Sequence, residues 1–323
     1  MADYLEQFSF LPLTFTLKTL TPIRLPAYKG STFRGAFGAT FRRVVCVIKK
    51  GNCQGCLLKE RCPYSYVFET PVPEGASKMR KYPYAPHPFV LVPPLDDRGR
   101  YEPGQQIAFS LTLIGKGIEY LPYFLYTVQE MGKAGIGRGR GRYSLEGVRE
   151  RDGREIFLQG QIKAPRPTSW KELLQGEPPE EVTLRFITPL RVRYGERLSD
   201  ELQFHILFRA LLRRISLLFF FHCGGELELD FRGMIERSKG VEVRRSSLRW
   251  HDWTRYSHRQ RSRIKLGGLL GEVTFRGDLE EFWPFLLLGE HIHVGKGTSF
   301  GLGRYEVVTG GKGGSAPAAV KGL

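Results

Sequence analysis

Residues 293–307 read HVGKGTSFGLGRYEV, a glycine-rich loop running into a closing strand. Gly295, Gly297, Gly301 and Gly303 permit positive φ and let backbone N–H groups approach a phosphate chain closely. Lys296 and Arg304 add positive charge, Thr298 and Ser299 add small donors, and Phe300 adds one flat apolar surface. An isolated stretch of this kind is ordinarily a tight turn. Here it occurs twice: residues 134–145 read AGIGRGRGRYSL, and the GRY at 141–143 recurs at 303–305.

Working outward from the two loops, the rest of the chain also repeats. Residues 11–26 (LPLTFTLKTLTPIRLP) alternate as a strand, and 182–194 (VTLRFITPLRVRY) restart the same pattern, so that TPIRL at 21–25 becomes TPLRV at 188–192. Helical spacing follows each: Phe33, Phe37 and Phe41 mark one stripe within 30–45, and Ile206, Leu207, Leu211 and Ile215 mark another within 200–221. Arg34, Arg42 and Arg43 lie off the first stripe, and Arg209, Arg213 and Arg214 off the second. Strands are predicted at 106–114, 143–148, 226–232 and 269–276, and helices at 118–131 and 279–288. Residues 71–104 are rich in proline and read as a long irregular loop, and 160–180 as a linker. The predicted fold class is α+β: two tandem ferredoxin-like (RRM-like) βαββαβ domains, each with a glycine-rich loop, and a four-cysteine metal-binding insertion in the first. Their bounds are 1–165, with the cysteine insertion at 46–62, and 180–309 with a basic insertion; 310–323 form a disordered tail. Two such sheets side by side would make one surface with a groove, bordered by the loops.

The chain has 323 residues, 41% hydrophobic and 25% charged, as a soluble globular protein of about two domains has. Its formal net charge of +16 and pI near 9.7 are not ordinary and point to a polyanionic partner. No segment approaches the ~20 apolar residues that cross a bilayer. The acidic start MADYLEQFSF is no signal peptide, which sets the expectation of a cytoplasmic protein with no membrane partner. Between 232 and 265 eleven Lys/Arg face three acids, an excess that supplies half of the net charge. Trp250, Trp253 and Tyr256 are interleaved with them. Arginine planes and rings together suit single strands or RNA hairpins, where bases stack and phosphates pair. The candidate RNA-binding residues are Arg138, Arg140 and Arg142 in the first loop and Arg244, Arg245, Arg249, Arg255, Arg259, Arg261 and Arg263 in the basic stretch. Gly295, Gly297, Ser299, Gly301 and Gly303 join them from the second loop.

Cys46, Cys53, Cys56 and Cys62 have the spacing C-x6-C-x2-C-x5-C. Four thiols within seventeen residues can converge on one tetrahedral ion, with the C-x2-C half as the chelating knuckle. Structural zinc is the expected occupant, an iron–sulfur cluster the alternative. Four protein ligands leave no open position for a reactive water, and Lys49, Lys50, Lys59 and Arg61 would moderate the site's charge. Cys223 reads as a buried core residue.

With the loops, the duplication and the cysteines in view, the chain resembles the CRISPR-associated pre-crRNA processing endoribonucleases of the RAMP superfamily. The likeness is best over 252–307, through WTRYSHRQRSRIKLGGLLGEVTF and HVGKGTSFGLGRYEV. It extends to KGSTFRGAFGATFRRVVC and to IEYLPYFLYTVQEMGKAGIGRGRGR. The resemblance implies binding of CRISPR repeat RNA and its cleavage without a catalytic metal, releasing guide RNAs and leaving a 2′,3′-cyclic phosphate. It also implies, as the alternative, a non-catalytic RNA-binding subunit that assembles with other CRISPR effector subunits. Such cleavage needs a base for the 2′-OH, an acid for the 5′-oxygen, and cations around the phosphate. Some members carry a catalytic histidine just after the first helix, whereas 30–62 contain none. The catalytic candidates are therefore His258 with Tyr256 in the basic stretch, His293 with Lys296 beside the second loop, and Tyr28 before the first helix. His87, His205, His222, His251 and His291 read as structural. A two-metal nuclease is not indicated, because no cluster of acids sits at a recognisable strand end.

Overall fold

The structure, a computed structural model, describes residues 4–49, 51–158, 160–195, 197–252, 254–257 and 262–309. In the first half, β1 (Ser9–Thr19) buries Leu13, Phe15 and Leu17 and exposes Thr14 and Lys18, the alternation of a half-buried strand. Helix α1 (Gly30–Val45) sets Phe33, Phe37 and Phe41 on one inward face. Then come β2 (Phe89–Val92), β3 (Gln106–Ile114), α2 (Leu121–Ala134) and β4 (Tyr143–Glu150). The strands are antiparallel in the order β2-β3-β1-β4, and Glu155–Leu158 and Gln161–Ile162 extend the β4 edge.

The second half repeats the plan: β5 (Glu181–Leu190), α3 (Phe204–Leu218), β6 (Glu242–Ser246), β7 (Gly268–Arg276), α4 (Trp283–Ile292) and β8 (Tyr305–Thr309). Its strands are antiparallel in the order β6-β7-β5-β8. In both sheets, then, the second strand of the unit lies outermost, the third and first follow, and the fourth pairs with the other side of the first. The fold is mixed α+β, built on two antiparallel sheets.

Three expectations need correction. The irregular 71–104 stretch contains β2, whose four residues are all buried; a short apolar run among prolines hid the second strand of the first unit. The strand predicted at 226–232 is absent: Asp230 accepts a hydrogen bond from the Gly233 N–H (2.9 Å) and caps a helix, Phe231–Arg237, so the sheet is entered only at β6. The predicted linker is not a free tether. Thr168–Ser169 pairs with β1, and Trp170 is 0% exposed, donating its indole N–H to the Pro284 carbonyl (2.7 Å) and packing edge-on against Phe285.

One core belongs to the first half alone, with Phe37, Phe41, Phe68, Phe89 and Phe124 as an aromatic nucleus. The other belongs mostly to the second half but takes in Phe8, Phe10, Val90, Val92, Ile114 and Trp170 from the first. His222 ties the halves further: its Nδ1 accepts from the Tyr66 hydroxyl (2.9 Å) while Nε2–H donates to the Pro86 carbonyl (2.7 Å). On the sheet faces turned from the helices the charges pair with one another, as in Lys18–Glu146, Arg185–Glu272 and Arg304–Glu306.

Candidate nucleic-acid interface

Each glycine-rich loop is clamped in the same way by the TP-(I/L)-R segment of its own half. Thr21 Oγ1 accepts from the Arg142 N–H (2.8 Å), and Thr188 Oγ1 accepts from the Arg304 N–H (2.9 Å). The carbonyls of Arg24 and Arg191 accept from the N–H groups of Arg138 and Lys296, both at 2.9 Å. The neck of each loop closes through Ile136 N–H to Gly141 O (2.9 Å) and Val294 N–H to Gly303 O (3.0 Å). The tyrosine of each GRY reaches back to its helix, Tyr143 to Val128 O (2.9 Å) and Tyr305 to Leu286 O (2.7 Å). Glycine is required where the chains touch: a Cβ at Gly137 would meet the Arg24 carbonyl at 2.1 Å and one at Gly303 the Val294 carbonyl at 1.8 Å, both at positive φ.

At the loop entrance the two halves differ. Gly135 has φ 79° and ψ 153°; the matching residue of the second half is His293, at φ 62° and ψ 171°. Such a conformation is almost confined to glycine. The His293 ring is 2% exposed and its Nδ1–H donates to the Leu302 carbonyl (3.2 Å). Burial, with Arg304 and Arg214 nearby, holds its pKa well below the usual histidine value, so the ring is neutral. It buttresses the loop from beneath instead of facing solvent.

The two loops share one edge of the molecule. Arg24 holds the first loop through its carbonyl, and four residues on, Tyr28 donates its hydroxyl to the Phe300 carbonyl of the second (2.7 Å). Four residues span at most about 14 Å, which bounds the Cα–Cα separation of the two anchoring residues. The second loop is wedged between the halves. Phe300 lies under the Arg34 guanidinium (5.1 Å), and a Cβ at Gly30 would stand 2.6 Å from the Phe300 carbonyl. Gly301 fits as tightly, its Cβ position 2.8 Å from the Leu91 carbonyl of β2.

Positive charge collects along this edge. Arg24, Arg138, Arg140 and Arg142 are all exposed at the first loop, and among the described residues none has an acidic partner. At the second, Lys296 is exposed beside Arg191 and Arg193; partial burial, then Arg193 and Arg191, lower its pKa. Arg191 Nη1 donates to the Gly267 carbonyl (2.6 Å), joining the loop to the base of a hairpin, Thr254–Ser257 with Ser262–Lys265. In its register Arg255 stands opposite Ile264 and Tyr256 opposite Arg263. Arg244, Arg245 and Arg249 are exposed on β6 and on the following strand Arg249–His251. His258, Arg259 and Arg261 lie outside the described residues, as does Trp253. Gly295, Gly297 and Gly301 have the expected positive φ, whereas Thr298 and Ser299 are buried and face inward.

A cavity of about 330 Å³ beside the second loop, lined by residues 27–29, 93–97 and Asp252, is not part of the cationic track. It carries Asp96, Asp97 and Asp252, and its Lys29 is buried against Asp96 (3.4 Å). Burial raises the Asp96 carboxyl, but the Tyr101 hydroxyl, the Arg98 N–H and Lys29 outweigh this and hold its pKa below the ordinary value. Three carboxylates there disfavour a phosphate. The four cysteines, in turn, line one pocket of about 360 Å³. Among the described residues no three His, Cys, Asp or Glu side chains stand close enough together to hold an ion. The cations overlooked in the sequence are Arg24, Arg191 and Arg193. The first two stand at equivalent places in the repeated TP-(I/L)-R, which was the signal available.

Comparison with known proteins fits this arrangement. A family described as an N-terminal domain matches residues 8–169, and the family described as CRISPR-associated endoribonuclease Cas6 matches residues 184–305. An uncharacterized protein of Archaeoglobus fulgidus is 25% identical over 289 residues, 88% of this chain and 92% of that one. A Cas6 product complex superposes with a TM-score of 0.60 at 21% identity, covering 93% of this chain and 100% of that one. Thermus thermophilus Cas6 gives 0.56 at 19%, covering 93% and 99%. A Cas6-RT-Cas1–Cas2 complex gives 0.56 at 13%, covering 93% of this chain and 29% of that one. Among the described residues no helix is long and apolar enough to cross a membrane.

Proposed function

Because the chain belongs to the CRISPR-associated Cas6 family of RAMP-type proteins, we propose that it binds CRISPR repeat RNA and cuts pre-crRNA into guide RNAs by attack of a 2′-OH, with no catalytic metal. The product would carry a 2′,3′-cyclic phosphate. The observation that carries this reading is the shared edge: two glycine-rich loops, strapped together by Arg24–Tyr28, present acid-free arginines at one end and Lys296 with Arg191 and Arg193 at the other. The equal strand order of the halves and their matching clamps support two tandem ferredoxin-like units, each supplying one loop.

In this reading the loop cations grip the ribose–phosphate and stabilise the charge of the pentacoordinate phosphate. Lys296, crowded by two arginines, is suited to that role and to proton donation. The basic hairpin rooted at Gly267 carries Tyr256 in its first strand; His258, outside the described residues, is the candidate base. Tyr28 and His293 act on the loop's position, through Phe300 O and Leu302 O. Burial of His293 favours a second reading, an RNA-binding subunit that has lost cleavage and works beside other CRISPR effector subunits. Incubation with a repeat-containing transcript in EDTA separates the two. A single discrete cut with a cyclic phosphate end supports the enzyme; tight binding without a cut supports the subunit. No preference for repeat RNA over unrelated RNA would refute both.

A further inference from the structure

We propose that Cys46, Cys53, Cys56 and Cys62 bind one structural zinc ion that clasps the end of α1 to the turn Ser65–Glu69. The inference does not depend on the RNA reading. Between Cys46 and Cys62 no described residue is buried, and the only regular element is the three-residue turn Lys59–Arg61. Its apolar residues point the wrong way for a core: Leu57 is 96% exposed, Val47 78%, Ile48 46% and Leu58 44%. The four cysteines are instead half-buried, are free thiols, and line one pocket. A segment that turns its leucines outward and its cysteines inward has no hydrophobic source of order, and a metal is the usual substitute.

The local backbone already has the shape of a chelating knuckle. Asn52 Oδ1 accepts from the Gly55 N–H (3.1 Å), the Cys53 carbonyl from the Cys56 N–H (3.5 Å), and the Cys56 carbonyl from the Lys59 N–H (3.0 Å). Arg42 and Lys59 are on the pocket wall and no acid is, so the excess negative charge of a four-thiolate zinc centre has its counter-ions in place. Arg42 also donates to the Gly51 carbonyl (2.6 Å) and lies over the Tyr64 ring (5.7 Å), holding the two ends of the segment beside the same pocket. The sulfurs are wider apart than one ion requires, so binding must draw the loop closed. Gly51, at φ 104° with nothing within 4 Å of its Cβ position, is where the chain can pivot.

Elemental analysis of the full chain, purified reduced and without added metal, is expected to give about one zinc per chain, as a closed four-thiolate site holds. Cobalt exchanged for it should show thiolate charge-transfer absorption and tetrahedral ligand-field bands. Cys56→Ser should lose the metal while Cys223→Ser keeps it. Should Cys56→Ser fail to fold, the wild-type chain still decides: chelator should speed tryptic cleavage at Lys49, Lys59 and Arg61 by about tenfold or more, because local order and metal binding are coupled. A reduced chain that contains no zinc and takes up no cobalt would overturn the proposal. So would iron with inorganic sulfide in place of zinc, or full metal content in Cys56→Ser. RNA binding is read separately, so the RNA reading can fail without touching this one.

Discussion

Acidification from pH 7.5 to 5.5 should loosen this protein, and the cause is four histidines at or near the contact between its halves. Burial pulls the His222 pKa down to about 4 against the opposing pull of its bond to Pro86 O, and holds that of His293 well below the usual value. His87 and His291 are pulled to about 3, again mainly by burial. The folded state thus keeps these rings neutral while the unfolded chain, with histidine pKa near 6.5, takes up protons. Stability from a depressed pKa is fully present above the unfolded value and is lost as pH falls toward the folded one. Each ring costs about 1.4 kcal/mol per pH unit below 6.5. His222 and His293, the most buried, therefore remove about 3 kcal/mol at pH 5.5, and His87 and His291 add in the same direction. Glu290, whose pKa burial raises, takes up its proton earlier in the folded state and acts in the opposite sense, so the four histidines outnumber it. Urea unfolding midpoints at pH 7.5, 6.5 and 5.5 measure the effect. His222→Gln should reduce the slope by about one proton's worth. Stability that stays flat across the window, or a slope unchanged in His222→Gln, would refute the argument.

Three further outcomes are expected. Thr188 both accepts from Arg304 N–H and donates to Gly301 O (2.7 Å) in a buried site, so Thr188→Val strands two polar groups and should cost about 2–4 kcal/mol in urea unfolding. Changing Arg138 and Arg140 together to Gln should weaken binding to all RNA sequences alike. It should also lower the slope of log affinity against log salt by roughly 1.5, read by fluorescence anisotropy. Trp170→Ala, which empties a fully buried site and frees the Pro284 carbonyl, should cost about 3–5 kcal/mol by the same unfolding assay.

What the sequence disclosed depended on period and repetition. The phenylalanine spacing of 30–45 gave that helix to the residue, because it has one face in a core and one outside; the strand 106–114 also has the expected bounds, although its last four residues are all buried. The doubled TP-(I/L)-R and GRY pointed to a repeated plan, and the structure joins the two motifs by the same threonine hydrogen bond in each half. β2 was illegible because all four of its residues are buried, so no alternation exists to be read. The 226–232 stretch misled because its alternation ends in an Asp cap that favours a helix. Arg24 and Arg191 stand singly in the sequence and become part of a cationic cluster only when the loops fold back on them. His293 was drawn into the catalytic candidates by its neighbours in sequence, and the ring turns the other way.

The placing of Trp170 bears on whether the halves could part. The stretch between them serves as a plug, its indole sealed into the second half while the preceding residues lie along the first strand of the first. Cutting the gene at the seam would give one partner a hole and the other a frayed edge.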